Sequence, residues 1–182
     1  MSSTQLYIGG AGLIFTLLLI WLVATYNRLT ELANRVDESW SDIDTELKRR
    51  YALIPNLVDV VKGYAVHEKS TLEAVMNARK QAIASSGSPA TQATNESPFV
   101  SAISKLIAVA ESYPHLKADA EFLALQKQLA NTEDRLQTAR RVFNGNTREF
   151  NILIASFPSD IVAHAFGFQR KQFFDINRLS ER

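Results

Sequence analysis

The residues capable of acid-base or metal chemistry are scattered along this chain of 182 amino acids and form no known catalytic pattern. The three histidines, His67, His115 and His164, are widely separated, and there is no HExxH motif, nucleophile elbow or glycine-rich phosphate loop. The chain has no cysteine, which excludes thiol catalysis, disulfide bonds and thiolate metal sites. We therefore predict a protein that is not an enzyme and that binds no cofactor.

One group of residues has the spacing of a metal site. Glu111, His115 and Asp119 are four residues apart, as on one face of a helix. Pro114 interrupts that helix, however, and carboxylates at this spacing usually form a solvated surface, so we expect no metal there. The acidic residues within 42–46 are interpreted as salt-bridge partners of neighbouring helices rather than as general acids.

The elements that position these side chains begin with an apolar segment from Leu6 to Tyr26. It has about 21 residues without a charge, enough for a helix to span the roughly 30 Å hydrocarbon core of a bilayer. A cleaved signal peptide would have basic residues before the apolar core and a small-x-small site after it, and both features are missing. A soluble core helix would not need an apolar run of this length. We predict a transmembrane anchor over residues 1–27, in contact with the lipid bilayer through residues 6–26.

The charges near this segment predict its orientation. No basic residue precedes it, whereas Arg28 and Arg35 follow, so the positive-inside rule places the N-terminus outside and the body in the cytoplasm.

The net charge of +1, from 20 basic and 19 acidic residues, gives no broad positive field, and no nucleic acid partner is expected. Gly9, Gly10 and Gly12 leave a smooth patch at which a second span could pack closely.

The segment after the anchor has a helical period. Apolar residues recur every three or four positions from Leu29 to Ala65, which predicts that the span continues as a long heptad-like stalk. Pro55 lies inside this stripe and is predicted to kink the helix, because it cannot donate to the Tyr51 carbonyl. Asn56 either satisfies backbone groups freed by this kink or faces a partner.

Glycine, proline and serine divide the rest of the chain. A break is expected between Gly63 and Ser70, and a second helical stripe ends at Ser85. The stretch from Ser85 to Ser97 is rich in small and polar residues and is predicted to be a mobile loop. Ser97 and Pro98 resemble an N-cap and the first residue of a helix.

A break at Tyr113-Pro114 precedes a last long helix, whose stripe runs from Phe122 to Ile154 and ends near Phe157-Pro158. The predicted fold class is all-α. Residues 28–158 fold either as one long antiparallel helical hairpin or as an up-down four-helix bundle.

Both architectures give the first and last long helices a similar register, in which paired residue numbers add up to about 180. This register brings Trp40 near Phe143 and Phe157 down to Tyr26. It also brings the basic run Lys48, Arg49 and Arg50 near Glu133 and Asp134.

That basic run lies about 33 Å beyond Tyr26 along a straight helix, whereas a lipid site must lie within a Debye length of about 8 Å of the membrane. We therefore expect the run either to pair with Glu133 and Asp134 or to contact a neighbouring subunit or partner.

The C-terminal tail, residues 159–182, is rich in aromatic residues. Phe166, Phe168, Phe173 and Phe174 lie beside Arg170 and Lys171. Two interpretations are open: these rings close the base of the bundle as core, or they anchor the tail at the membrane interface.

Several runs of residues together resemble the LemA family, and the resemblance covers nearly the whole chain. Phe143 and Phe150 stand where the family often has tyrosine, and His115 where an acid or amide is usual. The matching runs are Tyr26-Asn27, Trp40-Ser41-Asp42-Ile43-Asp44, Leu47-Lys48-Arg49-Arg50-Tyr51, Leu53-Ile54-Pro55-Asn56-Leu57-Val58, Lys62-Gly63-Tyr64-Ala65, His67-Glu68, Glu111 to Ala118, Thr132-Glu133-Asp134-Arg135, Ala139-Arg140, Phe143-Asn144, Phe150-Asn151 and Phe157-Pro158.

The resemblance implies a bacterial inner-membrane protein with one N-terminal span, a helical-bundle body and no assigned activity; relatives take part in magnetosome formation. The leading functional hypothesis is a membrane-anchored scaffold that self-associates into a homo-oligomer and binds another, unidentified membrane-associated protein. The alternative is an adaptor or sensor that presents the 85–97 loop to a membrane protease or signalling partner. The residues expected to make such contacts are Trp40, Lys48, Arg49, Arg50, Asn56, Phe173 and Phe174.

Overall fold

The first helix carries the apolar segment and continues far beyond it. The structure, a computed structural model, describes residues 3–65, 67–85 and 87–175, which contain helices and no strand. The all-α prediction is confirmed. The helices are α1 (Ser3–Tyr64), α2 (Lys69–Ala84), α3 (Pro89–Ala110), α4 (Pro114–Lys117), α5 (Ala120–Ala155) and α6 (Ser159–Ala165).

Helix α1 is 62 residues long and has two parts of different character. All side chains described between residues 9 and 24 are exposed, although nearly all of them are apolar. From Leu29 onward the apolar residues are buried at helical spacing, as predicted for the stalk. By length and composition, α1 contains a segment able to cross a membrane.

The chain forms two compact units. The first consists of α1 up to residue 38 together with residues 145–171, which include the end of α5 and all of α6. The second consists, among the described residues, of 39–144 together with 172–175.

The second unit contains the four-helix arrangement. The end of α1, then α2, α3 and the first two thirds of α5 surround a core that includes Ile43, Leu47, Ile54, Phe99 and Phe143. The four-helix architecture predicted from the sequence therefore describes this unit. The predicted breaks are also confirmed, since α1 ends one residue after Gly63 and α4 begins at Pro114.

The predicted mobile loop over residues 85–97 is wrong. Helix α3 begins at Pro89, and Ser88 is its N-cap, with its hydroxyl oxygen accepting a hydrogen bond from the Thr91 N–H at 3.3 Å. The Ser-Pro pair that starts the helix is thus Ser88-Pro89. The second pair, Ser97-Pro98, lies inside α3.

The buried face of this part of α3 explains the error. Gln92 and Glu96 are buried together with Ala93, so the first turns of the helix have a polar inner face and no apolar stripe. A helix whose inner face is buried against its neighbours is not a mobile loop that can be offered to a partner. The hypothesis of an adaptor that presents residues 85–97 is therefore withdrawn.

The predicted antiparallel register of α1 and α5 is confirmed within each unit. In the first unit, Arg28 Nη2 lies 2.5 Å from Glu149 Oε1. In the second unit, the Trp40 and Phe143 ring centroids are 5.4 Å apart, and Arg50 pairs with a carboxylate of α5. Tyr26, however, contacts the rings of Phe166 and Phe168, while Phe157 is 82% exposed.

Pro55 lies inside α1, as predicted, and the carbonyl that it leaves without a donor is satisfied from another helix. Nε of Arg79, on α2, donates to the Tyr51 carbonyl oxygen at 2.7 Å. Asn56 is exposed and lies on the outer side of α1. Two roles were considered for Asn56: satisfying the freed backbone group or facing a partner. Arg79 takes the first of these roles.

Replacing Arg79 with methionine should lower the free energy of unfolding by about 1–3 kcal/mol, because the buried carbonyl of Tyr51 loses its charged donor. In a Pro55→Ala background the same replacement should be less destabilising, since the alanine supplies the missing N–H. Denaturant unfolding of the four proteins measures this coupling. Lys80→Met, an exposed change on the same helix, is the control, and equal effects of Arg79→Met in both backgrounds would contradict the assignment.

Candidate interaction sites

Arg50 is the most deeply buried charged residue of the predicted basic run. Its side chain is only 1% exposed, and its Nη2 donates to Glu96, which is fully buried on α3. Nη1 of Arg50 lies 2.9 Å from Oε2 of Glu133 on α5. The guanidinium also lies over the ring of Phe99, 5.6 Å from its centroid. Of the two roles predicted for Arg50, pairing with Glu133 is the one found.

Two neutral residues complete this polar network. The Tyr51 hydroxyl donates to Glu96, and Gln92 Nε2 lies 3.0 Å from Glu96 Oε1 and 3.1 Å from the Tyr51 hydroxyl. Gln92 Nε2 also lies 3.3 Å from the Ala82 carbonyl at the end of α2. The network of Arg50, Tyr51, Gln92, Glu96 and Glu133 therefore links α1, α2, α3 and α5.

Burial raises the pKa of Tyr51 well above its usual range, and the hydrogen bond from its hydroxyl to Glu96 and the charge of Glu96 raise it further. Tyr51 thus remains a protonated donor at physiological pH. Every member of the network pairs with at least one other member. The arrangement is suited to fixing helix positions.

Each of two cavities borders part of the network. A cavity of about 300 Å³ lies between α3 and α5, and Arg50 and Glu133 form its polar part beside apolar walls that include Ile103 and Leu129. A second cavity of about 240 Å³ has a more polar lining, which includes Trp40, Lys48, Tyr51 and Gln92. The first is at the lower end of the range of ligand sites, roughly 300–1,000 Å³, and the second is below it.

The other two members of the basic run are on the surface. Lys48 pairs with Asp44 at 2.7 Å and Arg49 with Glu46 at 3.5 Å, both within α1. Their side chains are 72% and 47% exposed, so these pairs contribute little to stability. Helical geometry thus directs only one of three consecutive cations into the core.

The pattern with metal-binding spacing is divided among three elements. Glu111 is the C-cap of α3, His115 lies in α4, and Asp119 precedes α5. Asp119 caps α5: its Oδ1 accepts from the Phe122 N–H and its Oδ2 from the Tyr64 hydroxyl, each at 2.9 Å. These hydrogen bonds lower the pKa of Asp119, and the bond from the Phe122 N–H has the largest effect. Across residues 3–65, 67–85 and 87–175 there is no group of three His, Asp or Glu that could hold a metal ion.

Phe174 lies in the core of the second unit. Its side chain is fully buried, its ring centroid lies 5.5 Å from that of Trp40, and the Arg140 guanidinium lies 5.7 Å from its centroid. Phe173 is 38% exposed. Of the two interpretations of the tail aromatics, the core one describes Phe174.

Two asparagines of α5 hold the tail by its backbone. In the second unit, the Asn144 side chain donates to the Phe174 carbonyl and accepts from the Phe174 N–H, both at 3.0 Å. In the first unit, Asn151 makes the same pair of bonds with Lys171, at 2.8 and 2.9 Å. We call these contacts the asparagine clamps. They were not predicted, although the repeated Phe-Asn pair seven residues apart was the available signal.

Comparison with known proteins agrees with this structure. A family model described as the LemA family matches residues 39–182, which is well over half of the chain. The chain belongs to the LemA family. The match includes the whole second unit, with its polar network and the Asn144 clamp.

Curated relatives include proteins from magnetic bacteria. Magnetosome protein MamQ of Magnetospirillum gryphiswaldense and magnetosome protein MamQ 2 of Paramagnetospirillum magneticum are each 24% identical over 178 residues, covering 84% of this chain. The alignment spans 65% of the length of these relatives. Protein LemA of Metamycoplasma hominis is 24% identical over 157 residues, covering 86% of this chain and 72% of that protein.

The motifs that resemble those of LemA proteins now have structural roles. Arg50 and Tyr51 belong to the polar network, Pro55 creates the backbone acceptor for Arg79, and the two Phe-Asn pairs supply the clamps. Phe143 and Phe150 are almost fully buried, and their rings contact Trp40 and Phe168 respectively. These two positions contribute packing in this chain.

Replacing Arg50 with methionine should destabilise the protein by about 3–5 kcal/mol, because the buried Glu96 loses its cation. The double change Arg50→Met with Glu96→Gln should recover part of that loss, since the remaining group is neutral. Arg49→Met is the matched control on the surface and should cost less than about 1 kcal/mol. Chemical unfolding of these variants tests the network, and similar losses for Arg50→Met and Arg49→Met would contradict it.

Replacing Asn144 with alanine should release the end of the tail and lower the free energy of unfolding by about 1–3 kcal/mol, because two buried backbone groups lose their partners. The control is Asn131→Ala, an exposed position on the same helix with the same change in helix propensity. Limited chymotrypsin digestion after Phe173 and Phe174 should accelerate only in Asn144→Ala. Equal digestion of both variants would show that the clamp does not hold the tail.

Proposed function

We propose that this protein is a non-enzymatic, membrane-anchored helical scaffold that acts by self-association and by contacts with other membrane-associated proteins. The observation that carries the proposal is the exposed apolar part of α1. Leu13, Phe15 and Ile20 are each at least 60% exposed, on a helix that continues without a break into a bundle with a charged surface. Such a surface is stable in lipid and unfavourable in water.

In this proposal residues 6–26 cross the membrane once. Arg28 and Arg35 follow the apolar segment, which favours an outside N-terminus and a cytoplasmic bundle. The name magnetosome protein, carried by two of the relatives, is consistent with work at a membrane.

Self-association is supported by the glycines of the span. A side chain added at Gly9, Gly10 or Gly12 would meet nothing within 4 Å, so this face of α1 is open to close approach by a second helix. On the bundle, Lys48, Arg49 and Asn56 are exposed on α1 and are the residues that we assign to partner contacts.

The proposal predicts a discrete particle with several times the mass of one chain, measured by light scattering in nanodiscs or mild detergent. A version of the chain that begins at Arg28 should be monomeric, because it lacks the span. Gly12→Leu should reduce the mass by filling the open face, whereas Gly145→Leu, at a glycine outside the apolar segment, should not. A monomer with and without the apolar segment would overturn the scaffold proposal.

A further inference from the structure

The surface around α6 is apolar although it is exposed. Between residues 155 and 167, the exposed side chains are apolar with the single exception of His164. Phe157 is 82% exposed, Ile161 58% and Phe166 53%. We call these three residues the apolar tip. Exposed apolar patches of this kind mark binding surfaces.

The interior of the first unit does not account for these side chains, because α6 already buries its opposite face. Val162 and Ala163 are buried, whereas Ile161, His164 and Ala165 of α6 are exposed and Asp160 is half-buried. A helix at a water-exposed surface normally has a polar outer face. The exposed apolar side chains at and beside α6 are therefore suited to an apolar environment.

The backbone around the tip is well fixed. At the start of α6, the Ser159 hydroxyl lies 2.7 Å from the Leu153 carbonyl and 2.8 Å from the Ser156 carbonyl. At its end, Gly167 has φ +74°, and the N–H groups of Gly167 and Phe168 bond to the carbonyls of His164 and Ala163. This is a Schellman cap, which requires the left-handed conformation that glycine adopts without strain.

The tip lies beside the end of the apolar segment of α1. The Tyr26 ring centroid is 4.8 Å from that of Phe166 and 5.9 Å from that of Phe168. Tyr26 is the last residue of the apolar segment, and tyrosine is enriched where a span meets the headgroups. Exposed Arg170 follows the tip and can reach phosphates from this level.

We propose that the apolar tip inserts into the lipid interface and forms a second membrane contact beside the span. The occupant of this surface is the bilayer, because the patch is continuous with the apolar segment through Tyr26 and its most exposed side chains are apolar; the nearby carboxylate, Asp160, is half-buried. The inference rests on the proposed function, since the tip reaches lipid only if residues 6–26 cross the membrane. Interfacial residues beside a span restrain its tilt, so the tip would fix the orientation of α1 in the bilayer.

The chain has no cysteine, so single cysteines can be introduced and labelled with an environment-sensitive NBD fluorophore in the full protein. The test positions are Phe157→Cys and Ile161→Cys. Leu18→Cys, 57% exposed in the apolar segment, reports on the span. Val142→Cys, 50% exposed and about 20 Å before the end of α5, is the control outside the tip. Each labelled protein is placed in phosphatidylcholine–phosphatidylglycerol nanodiscs.

Labels at positions 18, 157 and 161 should be quenched by nitroxide-bearing lipids about twofold or more beyond the label at 142, whereas aqueous iodide should quench chiefly the label at 142. Lipid quenching at 18 without quenching at 157 and 161 would overturn the tip proposal and leave the anchor intact. No lipid quenching at position 18 would overturn the anchor itself. A label at 161 that neither quencher reaches would indicate a protein contact and would also overturn insertion into lipid.

Discussion

The ion pair between Arg50 and Glu96 is the contact on which the second unit depends. Both side chains are buried, and their remaining hydrogen bonds reach Tyr51, Gln92 and Glu133. A buried ion pair is seldom more stable than well-packed apolar residues of the same size, but leaving one partner alone is strongly unfavourable. We infer that the pair selects one arrangement of the helices, because a shift of α3 along α1 would leave a buried charge without its partner.

The same requirement for satisfied polar groups explains the irregular parts of the fold. Pro55 removes one backbone donor from α1, and Arg79 replaces it from α2, so the break in the hydrogen-bond ladder becomes a contact between helices. Residues 168–175 of the tail lie outside any helix or strand, and the asparagine clamps satisfy backbone groups of Lys171 and Phe174. Seven residues of an α-helix advance about 10 Å, and three residues of extended chain advance about the same distance. The two asparagines are seven residues apart on α5, and the two tail residues that they bind are three residues apart, so the spacings match.

Much of this structure could be predicted from the sequence, because α1 and α5 have long apolar stripes and because proline and glycine mark their ends. Their register followed from the positions of the predicted breaks and placed Trp40 beside Phe143. The start of α3 could not be predicted in this way. Its inner face is formed by Gln92 and Glu96, whose burial depends on Arg50 and Tyr51 some 40 residues earlier. Periodicity detects apolar faces, and it misses a helix whose inner face is polar and matched to a distant partner.

The exposed apolar residues of α1 and of the segment around α6 belong to the first unit. In the second unit, apolar side chains fill a core whose specificity comes from polar partners. In the first unit, Leu13, Phe15 and Ile20 on α1 and Phe157 and Ile161 near α6 remain outside the core. Burial of such side chains contributes roughly 25 cal/mol per Å² of apolar area, and this stabilisation is not realised while they face water. The backbone at the end of α6 is fixed by the Schellman cap at Gly167, yet Phe157, Ile161 and Phe166 remain exposed, and the proposed lipid contact would supply their apolar surroundings.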